Sequence, residues 1–315
     1  MPTTTGRASI LVSLALVLVA TSGCALKKVA LSSVADSLSR SGDTFASDED
    51  PELIRAAVPF SLKLVESLLA ELPRHRGLLL TACSGFTQYG YAFIDSDAEF
   101  VKVDDYARFV RLQDRARRTY LRGRDYCLRS LELKYPGIGA ALIADAPTAL
   151  ARVTKSDVAL LYWTGAAWGK AVSISLDRPA LIADLPAVGA IVRRAIHLDE
   201  SFNRGALHEV MIALESVPEA MGGSPQRARQ HFERSVALSR GASAGPYVSF
   251  ARGVLVGQQQ RNEFLHLLNQ ALAVDVAREP ALRLSNVLAQ EQARFLLERV
   301  DDMFLEGGAP ESREK

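Results

Sequence analysis

Cysteine, histidine and tryptophan are scarce in this chain: three, five and two of them among 315 residues. The histidines are scattered and form no spacing suited to a metal ion. Cys83 and Cys127 match no metal-ligand spacing either. Small thiols commonly pack as apolar side chains inside helices, so two unpaired thiols are expected there, with a disulfide as the alternative. An excess of one charge is also missing, because 37 basic residues face 36 acidic ones. A chain so balanced is not built to coat nucleic acid or to hold an anionic membrane electrostatically. Strand-favouring runs of Val, Ile, Tyr and Trp are few, whereas Leu and Ala dominate, and this reads as an α-helical composition.

The N-terminus carries an address. Arg7 precedes an apolar run from Ala8 to Ala20, and Thr21, Ser22 and Gly23 lead to Cys24. At about a dozen residues the run is too short to span a bilayer, which takes about 20, and it reads as a secretory signal. The small residues before Cys24 resemble a bacterial lipobox, although Thr21 stands where Leu or Val is usual. Residues 1–23 are therefore expected to be a lipoprotein signal peptide, with Cys24 lipidated after cleavage. The expected location is the periplasm, anchored to a membrane. Ala25 rather than Asp after the cysteine favours the outer one. Cleavage would remove Arg7 and no acid, leaving the mature chain formally neutral.

Helical periodicity covers most of the chain beyond the signal segment. Asp50–Leu72 places Leu53, Ala57, Phe60, Leu64 and Leu68 on one stripe. Further helices are expected over 104–133, 156–169, 185–197, 203–217, 225–239, 247–256, 260–274 and 282–305. Ser224 is a good N-cap, and Pro225 suits the first helical position after the Gly222-Gly223 turn. Four helix ends share a pattern: "CLRSLEL" from Cys127, "VRRAIHL" from Val192, "FERSVAL" from Phe232 and "LNQALAV" from Leu268. Their starts lie 65, 40 and 36 residues apart. The later spacings are close to the tetratricopeptide (TPR) period of about 34, and the first is about two periods. The expected fold is all-α: stacked antiparallel helical hairpins, TPR-like and elongated, with a concave cleft that holds a partner or ligand. The expected organisation is a lipidated N-terminus and leading helix over 24–48, a helical-repeat domain over 49–305 and a disordered tail over 306–315.

Enzyme signatures fail on context. "GASAG" (Gly241–Gly245) matches a hydrolase elbow, but a helix precedes Ser243 where a strand is needed, and Pro246 follows Gly245. "HEVMI" (His208–Ile212) lacks the second histidine of a zinc helix. "DSDAEF" (Asp95–Phe100) has Phe100 where a calcium loop needs Gly. Eight arginines between Arg108 and Arg129 could suggest nucleic acid, but Asp114 and Asp125 interrupt them, and a solvated or partner-docking face is the better reading. The chain is therefore expected to be no enzyme and to need no cofactor or metal.

Four segments carry a family resemblance: "DVALLYWTGAAWGKAVS" (Asp157–Ser173), "RGALHEVMIALESVPEAMGGSPQRARQHFERSVALS" (Arg204–Ser239), "LLNQALAVD" (Leu267–Asp275) and "RLSNVLAQEQARFLLERVDDMF" (Arg283–Phe304). With the lipobox, they resemble the T component of TPR-associated tripartite ATP-independent periplasmic (TRAP) transporters. The resemblance implies a periplasmic lipoprotein of stacked helices with a cleft and channel, able to trimerise. Its partner would be the transporter's substrate-binding P subunit, and it would bind or pass a small hydrophobic ligand. A general TPR-type scaffold lipoprotein for an envelope complex is the alternative. P-subunit and permease genes beside this one would favour the transporter. Within the resembling segments, Tyr162, Trp163 and Trp168 cannot all share one narrow helix face. Packing between repeats is one reading. In the other, the indole of Trp163 or Trp168 lines the cleft and offers a flat wall and an N–H to a ligand. His208 and Glu209, polar residues in an apolar helix, must find water or a partner and are candidates for the same cavity.

Overall fold

Asp50 starts the first long helix by accepting hydrogen bonds from the backbone N–H groups of Glu52 and Leu53, both at 3.0 Å. Ser224 does the same for Arg227 at 3.3 Å, with Pro225 at the first helical position. The computed structural model describes residues 29–40 and 42–305. In order the helices are α1 (residues 29–40), α2 (Gly42–Ala46), α3 (Pro51–Glu71), α4 (Arg76–Tyr89), α5 (Ser96–Val101), α6 (Tyr106–Lys134), α7 (Ile138–Leu150), α8 (Val158–Ser173), α9 (Pro179–Ile182), α10 (Leu185–Asp199), α11 (Ala206–Glu215), α12 (Pro225–Ser239), α13 (Gly245–Phe250), α14 (Arg261–Leu272), α15 (Arg283–Glu298) and α16 (Val300–Met303). Two wider, π-helical stretches interrupt the series: Gly90–Asp95 joins α4 to α5, and Ala251–Leu255 continues α13. The described residues are all-α, with no strand and no helix long and apolar enough to cross a membrane. Cys24 and the signal segment lie outside the described residues, as does the tail over 306–315.

Three large cores follow one another along the chain. Leu62, Val65 and Leu69 of α3 pack with Leu78, Leu79 and Phe86 of α4. Leu131, Ile138, Leu161, Ile191 and Leu207 build the middle core, and Ile212, Phe250, Phe264 and Leu268 the C-terminal one. The four shared helix ends fall on buried faces of α6, α10, α12 and α14. Their small residues, Ser130, Ala195, Ser235 and Ala271, are all buried. Small side chains there let neighbouring helices approach closely.

Three expectations are corrected. The stripe of α3 is split, with Leu53 57% and Phe60 74% exposed and Leu64 also open, while Leu68 is buried. The buried face is Ile54, Leu62, Val65, Leu68 and Leu69. This helix is apolar on two sides, so periodicity alone could not choose between them. Cys83 and Cys127 are joined in a disulfide, with Cα atoms 5.3 Å apart. Gly123 allows the close approach of α4 and α6 beside it, since a Cβ there would stand 2.8 Å from Thr87 Oγ1. Closing this 44-residue separation stabilises the fold by about 4 kcal/mol in the chain-entropy account. Finally, the stack does not run on as an elongated open row. α15 returns to the first third of the chain, where Phe295 packs on Phe100 with centroids 4.7 Å apart. Gln292 donates to Ser96 Oγ at 2.9 Å, and Arg299 pairs with Asp104 at 2.7 Å.

Candidate functional site

That return brings Gln292 of α15 against Tyr91 and Ser96. Tyr91, on the first π-helical stretch, keeps 36% of its surface open. Burial, followed by the nearby Glu209 charge, nevertheless pushes its hydroxyl up to about 12. Tyr162 of α8 and Glu209 of α11 are half-buried and share this behaviour. Burial raises the Tyr162 hydroxyl, which also feels Glu209 and Tyr91. Burial pushes the Glu209 carboxyl up to about 7, opposed only by a long hydrogen bond, 3.4 Å, from the Ser249 hydroxyl. Tyr91 and Tyr162 thus both lie close enough to Glu209 to feel its charge.

The side chains around Tyr91 are polar and well paired. Lys170 Nζ lies 2.6 Å from Asp95 Oδ2, and the Tyr120 hydroxyl donates to the same oxygen at 3.0 Å. Burial acts to raise Asp95, but the Lys170 charge and hydrogen bond hold it below its ordinary value. Lys170 also sits 5.0 Å from the Tyr91 ring centroid. Arg252, on the second π-helical stretch, pairs with Glu99 at 2.8 Å. The Tyr91 hydroxyl donates to Gln292 Oε1 at 3.4 Å. Tyr91 and Arg252 thus come one from each π-helical stretch. Such widened turns often occur at functional sites, because they rotate side chains out of the regular helical register.

Local backbone fixes Glu209. Asn203 and Arg204 adopt left-handed conformations in succession, turning the chain sharply into α11. Arg204 is held there by Glu279 at 2.8 Å. On the other side, the Glu209 carboxyl lies against Gly245, where a Cβ would stand 2.4 Å from Oε1 and push the carboxyl aside. "GASAG" thus ends on a residue packed against Glu209, and Ser243 lies in the loop between α12 and α13.

The four candidate ligand residues part company. Glu209 lies beside Ser249 and Gly245. Trp163 packs against Tyr162, edge to face, with centroids 4.7 Å apart. Trp168 belongs to the middle core. It is buried, its indole N–H donates to Asp184 Oδ2 at 2.9 Å, and the Arg124 guanidinium lies 5.3 Å from its ring. It therefore has no free N–H to offer a ligand. His208 is buried with its Nδ1 2.8 Å from His231 Nδ1 and its Nε2 3.2 Å from Glu200 Oε1. Burial lowers both rings, His231 to about 4, so the pair is neutral at pH 7 and committed to itself. Sequence reasoning missed Tyr91, Ser249, Arg252 and Gln292. The signal available for Tyr91 was Gly90 between two tyrosines in an apolar run. Most arginines of α6 are engaged, Arg117 and Arg118 with Asp114 and Arg122 with Glu66, as a paired helix face. No group of three or more His, Cys, Asp or Glu among the described residues is placed to hold a metal.

Residues 47–304 match the family described as TRAP transporter T-component. An uncharacterized protein of Treponema pallidum (strain Nichols) is 29% identical over 303 residues, covering 90% of this chain and 94% of that protein. The chain belongs to the TRAP transporter T-component family. Its role is accordingly that of an accessory component associated with a TRAP transporter, and the family is not one of enzymes.

Proposed function

We propose that this protein is the periplasmic, lipid-anchored accessory of a TRAP transporter, docking the substrate-binding P subunit and passing a small, largely apolar ligand through its interior. The observation that carries the reading is the family match over 47–304. Two features support its details. The Cys83–Cys127 disulfide suits an oxidising compartment, in keeping with export and an anchor at Cys24, with the outer membrane favoured. Burial raises the pKa values of Tyr91, Tyr162 and Glu209, which lie near one another, and this supports a ligand path beside them. A component that hands over its cargo must also release its partner, so modest affinity is expected. Calorimetry of the protein with its cognate P subunit should give a Kd near a micromolar, about −8 kcal/mol. No association at high micromolar concentration would overturn the transporter docking and leave the scaffold alternative.

A further inference from the structure

The acids that engage α6 leave part of its outer face unpaired. Arg108, Arg111, Arg115, Arg118, Arg122 and Arg129 are all exposed, and steps of three, four, three, four and seven residues put them on one stripe of the helix. At 1.5 Å per residue the stripe runs about 32 Å, and Asp125 is its one acid. Asp114 takes Arg118 and Glu66 takes Arg122. Arg115 donates to the Tyr89 hydroxyl at 3.2 Å and Arg129 to the Pro73 carbonyl at 3.4 Å. Arg108 and Arg111 have no acidic partner among the described residues. Rings brace three of the guanidinium groups at two-turn intervals: Tyr89 lies 5.9 Å from Arg115, Phe86 4.7 Å from Arg122 and Tyr126 5.3 Å from Arg129. Between Arg118 and Arg129 the stripe borders a groove of about 380 Å³ whose lining includes Leu121 and Tyr126.

A row of ring-braced guanidinium groups is a fixed set of forks for carboxylates. Each carboxylate can accept two parallel N–H bonds, and a fork already held in place loses little freedom on binding. A fluid anionic lipid surface supplies phosphates at any spacing and gains nothing from forks held two turns apart. Asp114, Glu66 and Asp125 on the same face would also repel it. A folded protein holds its carboxylates at fixed spacing, and Leu121 and Tyr126 give it apolar contact between the charges. Arginine and tyrosine are the side chains that such interfaces concentrate. Resting on the reading that this protein docks the transporter's P subunit, we propose that the arginine stripe of α6 is the docking face and that it takes an acidic face of that subunit.

Calorimetry of the full-length protein with its cognate P subunit tests the face. Binding should weaken at least about tenfold between about 50 and 300 mM NaCl. Arg111→Glu/Arg115→Glu should weaken it at least about tenfold while the helical circular dichroism stays native. Arg178→Glu, a reversal at an exposed arginine outside the stripe, should change it by less than about twofold. Arg115→Lys/Arg129→Lys, which keeps the charge and removes two forks, should cost about threefold or more. Equal affinity of the wild type and Arg111→Glu/Arg115→Glu would overturn the docking face and leave P-subunit binding standing. An equal loss with Arg178→Glu would make the effect one of net charge and overturn the face as well. No association of the wild-type protein at high micromolar concentration would overturn the P-subunit reading and the face with it. Cosedimentation with phosphatidylcholine vesicles, with and without about a third phosphatidylglycerol, separates the lipid case. If the anionic lipid increases binding of the wild type but not of Arg111→Glu/Arg115→Glu, the stripe faces the membrane and the protein assignment is overturned.

Discussion

Two carboxylates taken out of water behave in opposite ways in this molecule. Asp157, in the turn before α8, has no exposed side-chain surface. Burial alone would raise its pKa. Lys134 Nζ at 2.7 and 2.8 Å, the Tyr135 hydroxyl at 2.6 Å and the Thr154 backbone N–H at 3.0 Å instead hold it down to about 2. Glu209 has one distant hydroxyl and is pushed up to about 7. Desolvation acts in the same direction on both, and the donors decide the outcome. A carboxylate with its full set of donors is part of the frame, tying α6 to the start of α8. A dehydrated carboxylate without them costs stability as it ionises, and that cost is recovered only when something else binds it.

Removing each charge should sharpen the contrast, because the two stability effects have opposite signs. Glu209→Gln should have the larger effect. With its folded pKa raised above the ordinary value of 4.5, Glu209 holds its proton more tightly in the folded state, so stability falls as pH rises from about 4.5 through 7. Relative to wild type, Glu209→Gln should therefore be near neutral at pH 4.5 and more stable by up to about 3 kcal/mol at pH 8, read by urea unfolding. Asp157→Asn should cost about 2 kcal/mol at pH 7, since Lys134 loses its counter-charge and the amide accepts fewer of the hydrogen bonds. Asp157's folded pKa is depressed, so its contribution is present above the ordinary value of 3.8 and is lost as pH falls toward about 2. The same deficit for Asp157→Asn at pH 2 as at pH 7 would remove Asp157 from the frame.

Most of the helical framework was legible because amphipathic periodicity and cap chemistry act locally. The helix Pro225–Ser239 begins on Ser224 and Pro225 for reasons contained in four residues. What failed depended on tertiary contact. The stretch from α4 through Gly90–Asp95 is apolar on nearly every side, so it shows no stripe, yet it delivers Tyr91 within reach of the Glu209 charge. In α3, two apolar faces left the choice of core to neighbours far along the chain. The disulfide could not be read from two cysteines on separate helices, because only the packing of α4 on α6 brings them within reach. Glu209 was singled out because a charged residue in an apolar helix demands a reason. His208, found by the same argument, turned out to satisfy itself on His231, 23 residues onward. Trp168 misled because its partner Asp184 lies in a turn whose position no local rule predicts.

The measurement that bears most directly on the unsatisfied carboxyl is the titration of Glu209 itself. In a protein carrying 13C-labelled glutamate side chains, carboxyl chemical shifts followed from pH 3 to pH 9 should show one glutamate with a midpoint near 7, absent from Glu209→Gln. If every glutamate instead titrates at or below the ordinary value of about 4.5, Glu209 is paired or fully hydrated, and the account of an unsatisfied, dehydrated carboxyl is contradicted.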